Sequence, residues 1–103
     1  MRKIMDGKRY DTETAEFVVQ LHCPYYGNDF KAHDTGLYRT KRGNWFVAGS
    51  GGPLTQWARQ VGNGYSGGSG LRPLEIAEAR DLLEQHGTPE QVEQYFGAEI
   101  EDA

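Results

Sequence analysis

Between Leu37 and Gly70 the chain reads LYRTKRGNWFVAGSGGPLTQWARQVGNGYSGGSG, and this stretch limits the fold more than any other. Alternation in Leu37-Tyr38-Arg39-Thr40 and in Trp45-Phe46-Val47-Ala48, joined by Lys41-Arg42-Gly43-Asn44, predicts two strands around a tight turn. Most of the chain's glycine follows, mixed with Trp57 and Tyr65. Such a segment is too aromatic for a solvated spacer and too rich in glycine for regular structure. It reads as an ordered surface loop, with the two rings packing beneath it to offset part of its ordering entropy.

The 103 residues, 37% hydrophobic, suffice for one small domain. A lone Cys23 forms no internal disulfide, and no apolar run approaches the roughly 20 residues of a membrane span. Met1-Arg2-Lys3-Ile4-Met5-Asp6 lacks the apolar stretch of a signal peptide. The expectation is a soluble, cytoplasmic protein without a membrane association.

Secondary structure follows from periodicity and turn residues. Asp6-Gly7 marks a two-residue turn and a small opening hairpin. Phe17, Val19 and Leu21 alternate with Val18, Gln20 and His22, the pattern of a half-buried strand. Pro24 ends it, and Tyr25 to Gly36 reads as a loop punctuated by Gly27-Asn28-Asp29 and His33-Asp34-Thr35-Gly36. Pro53 to Gln60 is long enough for two helical turns that would plant Trp57 on the sheet.

After Pro73, the run LEIAEARDLLEQH sets Ile76, Ala79 and Leu83 on one stripe, with Gly87 as the stop. Thr88-Pro89-Glu90-Gln91 combines an N-cap, a proline at the first helical position and a capping-box glutamine, opening a second helix through Val92, Tyr95 and Phe96. The expected architecture is α+β: an antiparallel sheet of three to five strands with a short helix and two C-terminal helices. Residues 1–48 form the sheet, 49–72 the short helix and glycine-rich loop, 73–97 the two helices, and 98–103 a frayed acidic tail.

Motifs for catalysis are weak. Gly62-Asn63-Gly64-Tyr65-Ser66-Gly67 matches G-x-G-x-x-G, but it follows no hydrophobic strand and opens no helix, and Gly68 stands where a phosphate-binding loop needs lysine. Ser50, among Gly49, Gly51 and Gly52, distantly resembles a nucleophile elbow without the large α/β sheet that such a turn requires. Cys23 beside His22 or His33 is better read as a small apolar residue at a strand end. His22, His33 and His86 show no ligand spacing, so neither metal nor cofactor is expected.

Charge is more informative. Residues 1–48 carry eight Lys/Arg and six Asp/Glu, and residues 49–103 carry three and nine. Glu75, Glu78, Asp81 and Glu84 recur at three-residue spacing on the exposed side of the first C-terminal helix, and with Tyr65 in the glycine loop they are the candidate partner-binding residues. Eight of the twelve aromatic residues lie between Tyr25 and Tyr65 among cations, which is how single-strand binding proteins are composed. Arg39, Lys41 and Arg42 are the candidates for that alternative, and the negative net charge counts against it.

The run from Arg2 through Asp6-Gly7-Lys8-Arg9-Tyr10-Asp11-Thr12-Glu13-Thr14-Ala15 to Glu16, then Leu37 to Phe46 and Gly51-Gly52-Pro53, resembles a family of small, poorly characterised proteins of bacterial mobile elements and prophages. That resemblance transfers no catalytic or binding residue. By analogy with the company such proteins keep, it implies a counter-defence role of the anti-CRISPR kind. The expected function is therefore non-enzymatic: an acidic face docks on a basic surface of a host complex that handles nucleic acid, such as a CRISPR effector. A single-stranded nucleic-acid binder, and a small hydrolase or transferase using the glycine loop, are the alternatives.

Overall fold

The computed structural model describes residues 1–26 and 29–103. Gly27-Asn28, within one expected turn, lie outside the described residues. Strands β1 (Arg2–Met5) and β2 (Lys8–Asp11) form a hairpin of their own. Asp6 and Gly7 both have positive φ, 53° and 75°, as a type I′ turn requires. The central sheet is antiparallel, in the order β3 (Glu16–Gln20), β4 (His33–Arg39), β5 (Trp45–Gly51) and β8 (Gly68–Leu74). Between its last two strands lies a second separate hairpin, β6 (Arg59–Val61) and β7 (Gly64–Ser66). Helices α1 (Ile76–His86) and α2 (Pro89–Phe96) complete the α+β fold.

The simple alternation expected in β3 fails at a bulge. Phe17 pairs with Tyr38 and Val19 with Leu37, so Val18 is the extra residue. The bulge turns Val18 inward beside Leu21 and leaves Phe17 53% exposed, reversing the expected faces at those positions. It also frees the Val18 carbonyl, which accepts the side-chain amide of Gln91 at 2.8 Å. That glutamine belongs to the expected capping box: Thr88 Oγ1 accepts the Gln91 N–H at 3.2 Å, and Gln91 Oε1 accepts the Thr88 N–H at 3.0 Å. One side chain thus starts α2 and ties it to the sheet.

The glycine-rich segment is mostly strand. β5 runs on through Gly49 and Gly51, which pair with Gly70 and Gly68 of β8, and β4 begins at His33, four residues before the expected start. No helix forms over Pro53–Gln60. Thr55 bonds locally instead: its hydroxyl donates to the Gly52 carbonyl at 2.8 Å and accepts the Trp57 N–H at 3.2 Å. Such bonds compete with helical ones. They drop the Trp57 ring onto the sheet, where its indole N–H donates to buried Thr35 Oγ1 at 2.8 Å. A Cβ at Gly70 would stand 3.2 Å from that ring, and one at Gly68 only 2.5 Å from the Trp57 carbonyl oxygen. The glycines admit the indole rather than loosening the chain.

One face of the sheet carries Leu37, Trp45 and Val47, and it packs with Val18, Leu21, Trp57, Ala79, Leu83 and Phe96 into the main core. Trp45 stacks on Phe96 and meets Tyr95 edge-on. Ile76, expected on the buried stripe, is 59% exposed because the helix begins only there, after Pro73 and Leu74 have been drawn into β8. The other face carries a smaller cluster of Phe46, Ala48 and Leu71 beneath Tyr10 of β2. The tail is partly held. A 3-10 turn covers Gly97–Glu99, and Glu99 pairs with Arg80 at 3.0 Å.

Candidate functional site

On α1, Ala79 and Leu83 point to the sheet, so a rotation of 100° per residue carries Glu78, Asp81 and Glu84 to the opposite side, where all three are exposed. Glu75 is exposed at the N-cap, and Glu90 and Glu93 of α2 add to the same charge. The two cations beside this surface are engaged. Arg72 of β8 pairs with Glu78 at 3.2 Å and also donates to Gln56, and Arg80 pairs with Glu99. Among the described residues, Asp81, Glu84, Glu90 and Glu93 pair with no cation. The expected acidic face therefore exists as geometry, with Ile76 exposed at its border.

Tyr65 does not join Trp57 beneath a loop. It stands on the β6–β7 hairpin, opposite Gln60, and is 66% exposed, while Trp57 alone is buried. Residues 59–65 are all exposed, so this hairpin has no hydrophobic layer under it. Its turn, Gly62-Asn63, is the start of the G-x-G-x-x-G match, and no helix N-terminus faces it.

The hairpin cations separate. Arg39 lies on the helix side of the sheet, its guanidinium 5.9 Å from the Trp45 ring centroid and 5.6 Å from that of Tyr95. Stacked there it supports the core. Tyr95 donates its hydroxyl proton to Glu16; burial first, and that bond second, push its pKa up to about 12. Lys41 and Arg42 sit instead in the β4–β5 turn, held by Thr40, which accepts the Gly43 N–H at 2.9 Å and donates its own N–H to Asn44 at 2.7 Å. There they join Lys8 and Arg9 of β2 around a cleft of about 450 Å³. Lys8 and Arg9 have no local sequence signal for this role, because sheet packing alone brings the two turns together.

Around Cys23 the contacts are structural. Its Sγ accepts the backbone N–H of His33 at 3.4 Å, while the His33 ring turns away to Thr35 Oγ1 at 2.9 Å. The His22 backbone N–H donates to His86 Nδ1 at 3.0 Å. Burial lowers the His86 pKa, and the charges of His22 and His33 lower it further. Among the described residues, no group of three His, Cys, Asp or Glu side chains could hold a metal ion. Ser50 lies exposed within β5 rather than at a strand-to-helix corner.

Comparison with protein-family models, curated sequences and solved structures finds no match for this chain. No helix is long and apolar enough to cross a membrane among the described residues.

Proposed function

We propose that this is a binding protein that docks the outer side of its C-terminal helices on a basic surface of a partner. The observation behind this reading is the exposed row Glu78, Asp81 and Glu84, reinforced by Glu90 and Glu93, in which Glu78 is paired with Arg72 while Asp81, Glu84, Glu90 and Glu93 have no ion-pair partner among the described residues. Complementary charge of this kind accelerates encounter and selects orientation. Ile76 supplies an apolar contact at the border of the charged surface.

The partner class follows from the mobile-element resemblance: a host complex whose basic surface handles nucleic acid, with a CRISPR effector as the specific proposal and counter-defence as the role. The test uses a purified CRISPR effector complex. Binding by surface plasmon resonance at low and high salt, and target cleavage with added protein, are measured for the parent and for Glu78→Lys with Asp81→Lys. The proposal expects salt-sensitive binding and inhibition, with association slowed at least tenfold in the variant. Equal binding by parent and variant at every salt concentration would eliminate the acidic face.

A further inference from the structure

We propose that the groove between the first hairpin and the β4–β5 turn binds the sugar–phosphate backbone of a single-stranded nucleic acid. This site is separate from the acidic face and stands without it. Tyr10 fixes the β1–β2 hairpin to the sheet through Phe46, Ala48 and Leu71, the face opposite the helices. That packing brings Lys8 and Arg9 alongside Lys41 and Arg42 around the cleft of about 450 Å³, and no acid lines it. Four like charges gathered around one concavity repel one another and focus a positive potential there.

No ion pair forms within this cluster among the described residues. The ion pairs among the described residues are Arg72 with Glu78 and Arg80 with Glu99, so none of the four groove cations is paired. Four of the six acids of the first half are used elsewhere. Asp11 accepts the Glu13 N–H at 2.9 Å, Asp29 accepts the Lys31 N–H at 2.8 Å, Asp34 takes the amide of Gln20, and Glu16 takes the hydroxyl of Tyr95. Asp6, in the turn before Lys8, and Glu13 neither line the cleft nor enter an ion pair among the described residues, and the cations stay free for an anion from outside.

Shape selects a chain over a compact anion. A second cleft of about 300 Å³ shares Thr14, Thr40 and Lys41 with the first but is also lined by Glu16 and Arg39, so the cations gather around the first. A free phosphate would fill a fraction of that first cleft. Phe17, exposed by the β3 bulge, lines neither cleft but packs edge-on against Tyr38, on the same sheet face as the first hairpin. A cluster of cations with an exposed ring on the same sheet face is the combination that single strands use, phosphates on the charges and a base on the ring. Duplex DNA offers no free base to that ring.

The experiment is fluorescence anisotropy of a labelled 12-nucleotide oligothymidylate with the full chain, across a salt series. Contacts to four phosphates predict a log–log salt slope near −3, at about −0.7 per phosphate. Lys41→Gln with Arg42→Gln should halve the slope, and Lys8→Gln with Arg9→Gln should do the same. Phe17→Ala should weaken binding about tenfold at unchanged slope, within the range of one lost stack. Lys31→Gln, outside the groove, should change neither, and thermal melting of the charge variants should match the parent, with Phe17→Ala melting somewhat lower because it loses its contact with Tyr38. Absence of binding at 20 mM salt would overturn the proposal, as would a slope unchanged in both double variants. Equal competition by inorganic phosphate, or equal affinity for the corresponding duplex, would overturn the assignment to a single strand.

Discussion

The two faces of the central sheet are covered in different ways. Against the helices, Leu37, Val47, Ala79 and Leu83 are sealed from solvent, and even polar Thr35 is enclosed, satisfied by the Trp57 indole and the His33 ring. The other face has one small cluster under Tyr10, and beyond it Phe17 remains exposed and the cleft between the two turns opens. Stability is therefore concentrated on one side of the sheet. Residues on the other side and on the outer helix surface are released from packing duty, and that is where the unpaired charges collect.

The largest break in this asymmetry should come from Trp57→Ala, which removes a 7%-exposed ring and leaves the Thr35 hydroxyl without its donor. A loss of about 3 kcal/mol or more is expected in denaturant titration, within the range for a buried aromatic. Gln91→Ala should follow at about 1–2 kcal/mol, because it removes the side-chain half of the capping box and strands the Val18 carbonyl together. An effect below a few tenths of a kcal/mol would mean that the bulge is not held by α2.

A smaller effect is expected from His86. Its pKa is lowered in the folded protein, so the folded state binds fewer protons than the unfolded state below the ordinary value of 6.5. The stability it contributes is present above pH 6.5 and lost as the pH falls through and below that value. His86→Asn keeps an acceptor for the His22 N–H and should flatten that part of the stability–pH curve. Least of all should be felt from Glu78→Lys with Asp81→Lys. It breaks one exposed pair, with Arg72, whose side chains are 49% exposed on both sides, and so should cost under about 1 kcal/mol.

What could be read from the sequence was local. Asp6-Gly7, the Lys41–Asn44 turn and the Thr88–Gln91 box each carry their geometry in adjacent residues, and each forms as expected. The antiparallel sheet and two C-terminal helices followed from periodicity. What escaped depends on residues far apart. Glycine at 68 and 70 looks like an ordered but irregular loop until β8 is seen to pair with β5 there and to pass against Trp57, and Val18 looks outward until a bulge turns it. Arg39 and Lys41 look equivalent in sequence, yet the first stacks on the core and the second lines a groove with Lys8 and Arg9. The acidic row was legible because a helix period suffices to place it.

Native-state hydrogen exchange tests the separation of the two sides most directly. The account predicts that amides of β4, β5 and α1 exchange only through global unfolding, at the free energy found in denaturant titration, while those of β6–β7 exchange through local opening several kcal/mol lower. The β1–β2 amides should fall between, since Tyr10 is that hairpin's buried anchor. Equal protection of β6–β7 and β5, tracking one global free energy, would contradict the account, because it would make the outlying hairpin part of the same cooperative unit as the core.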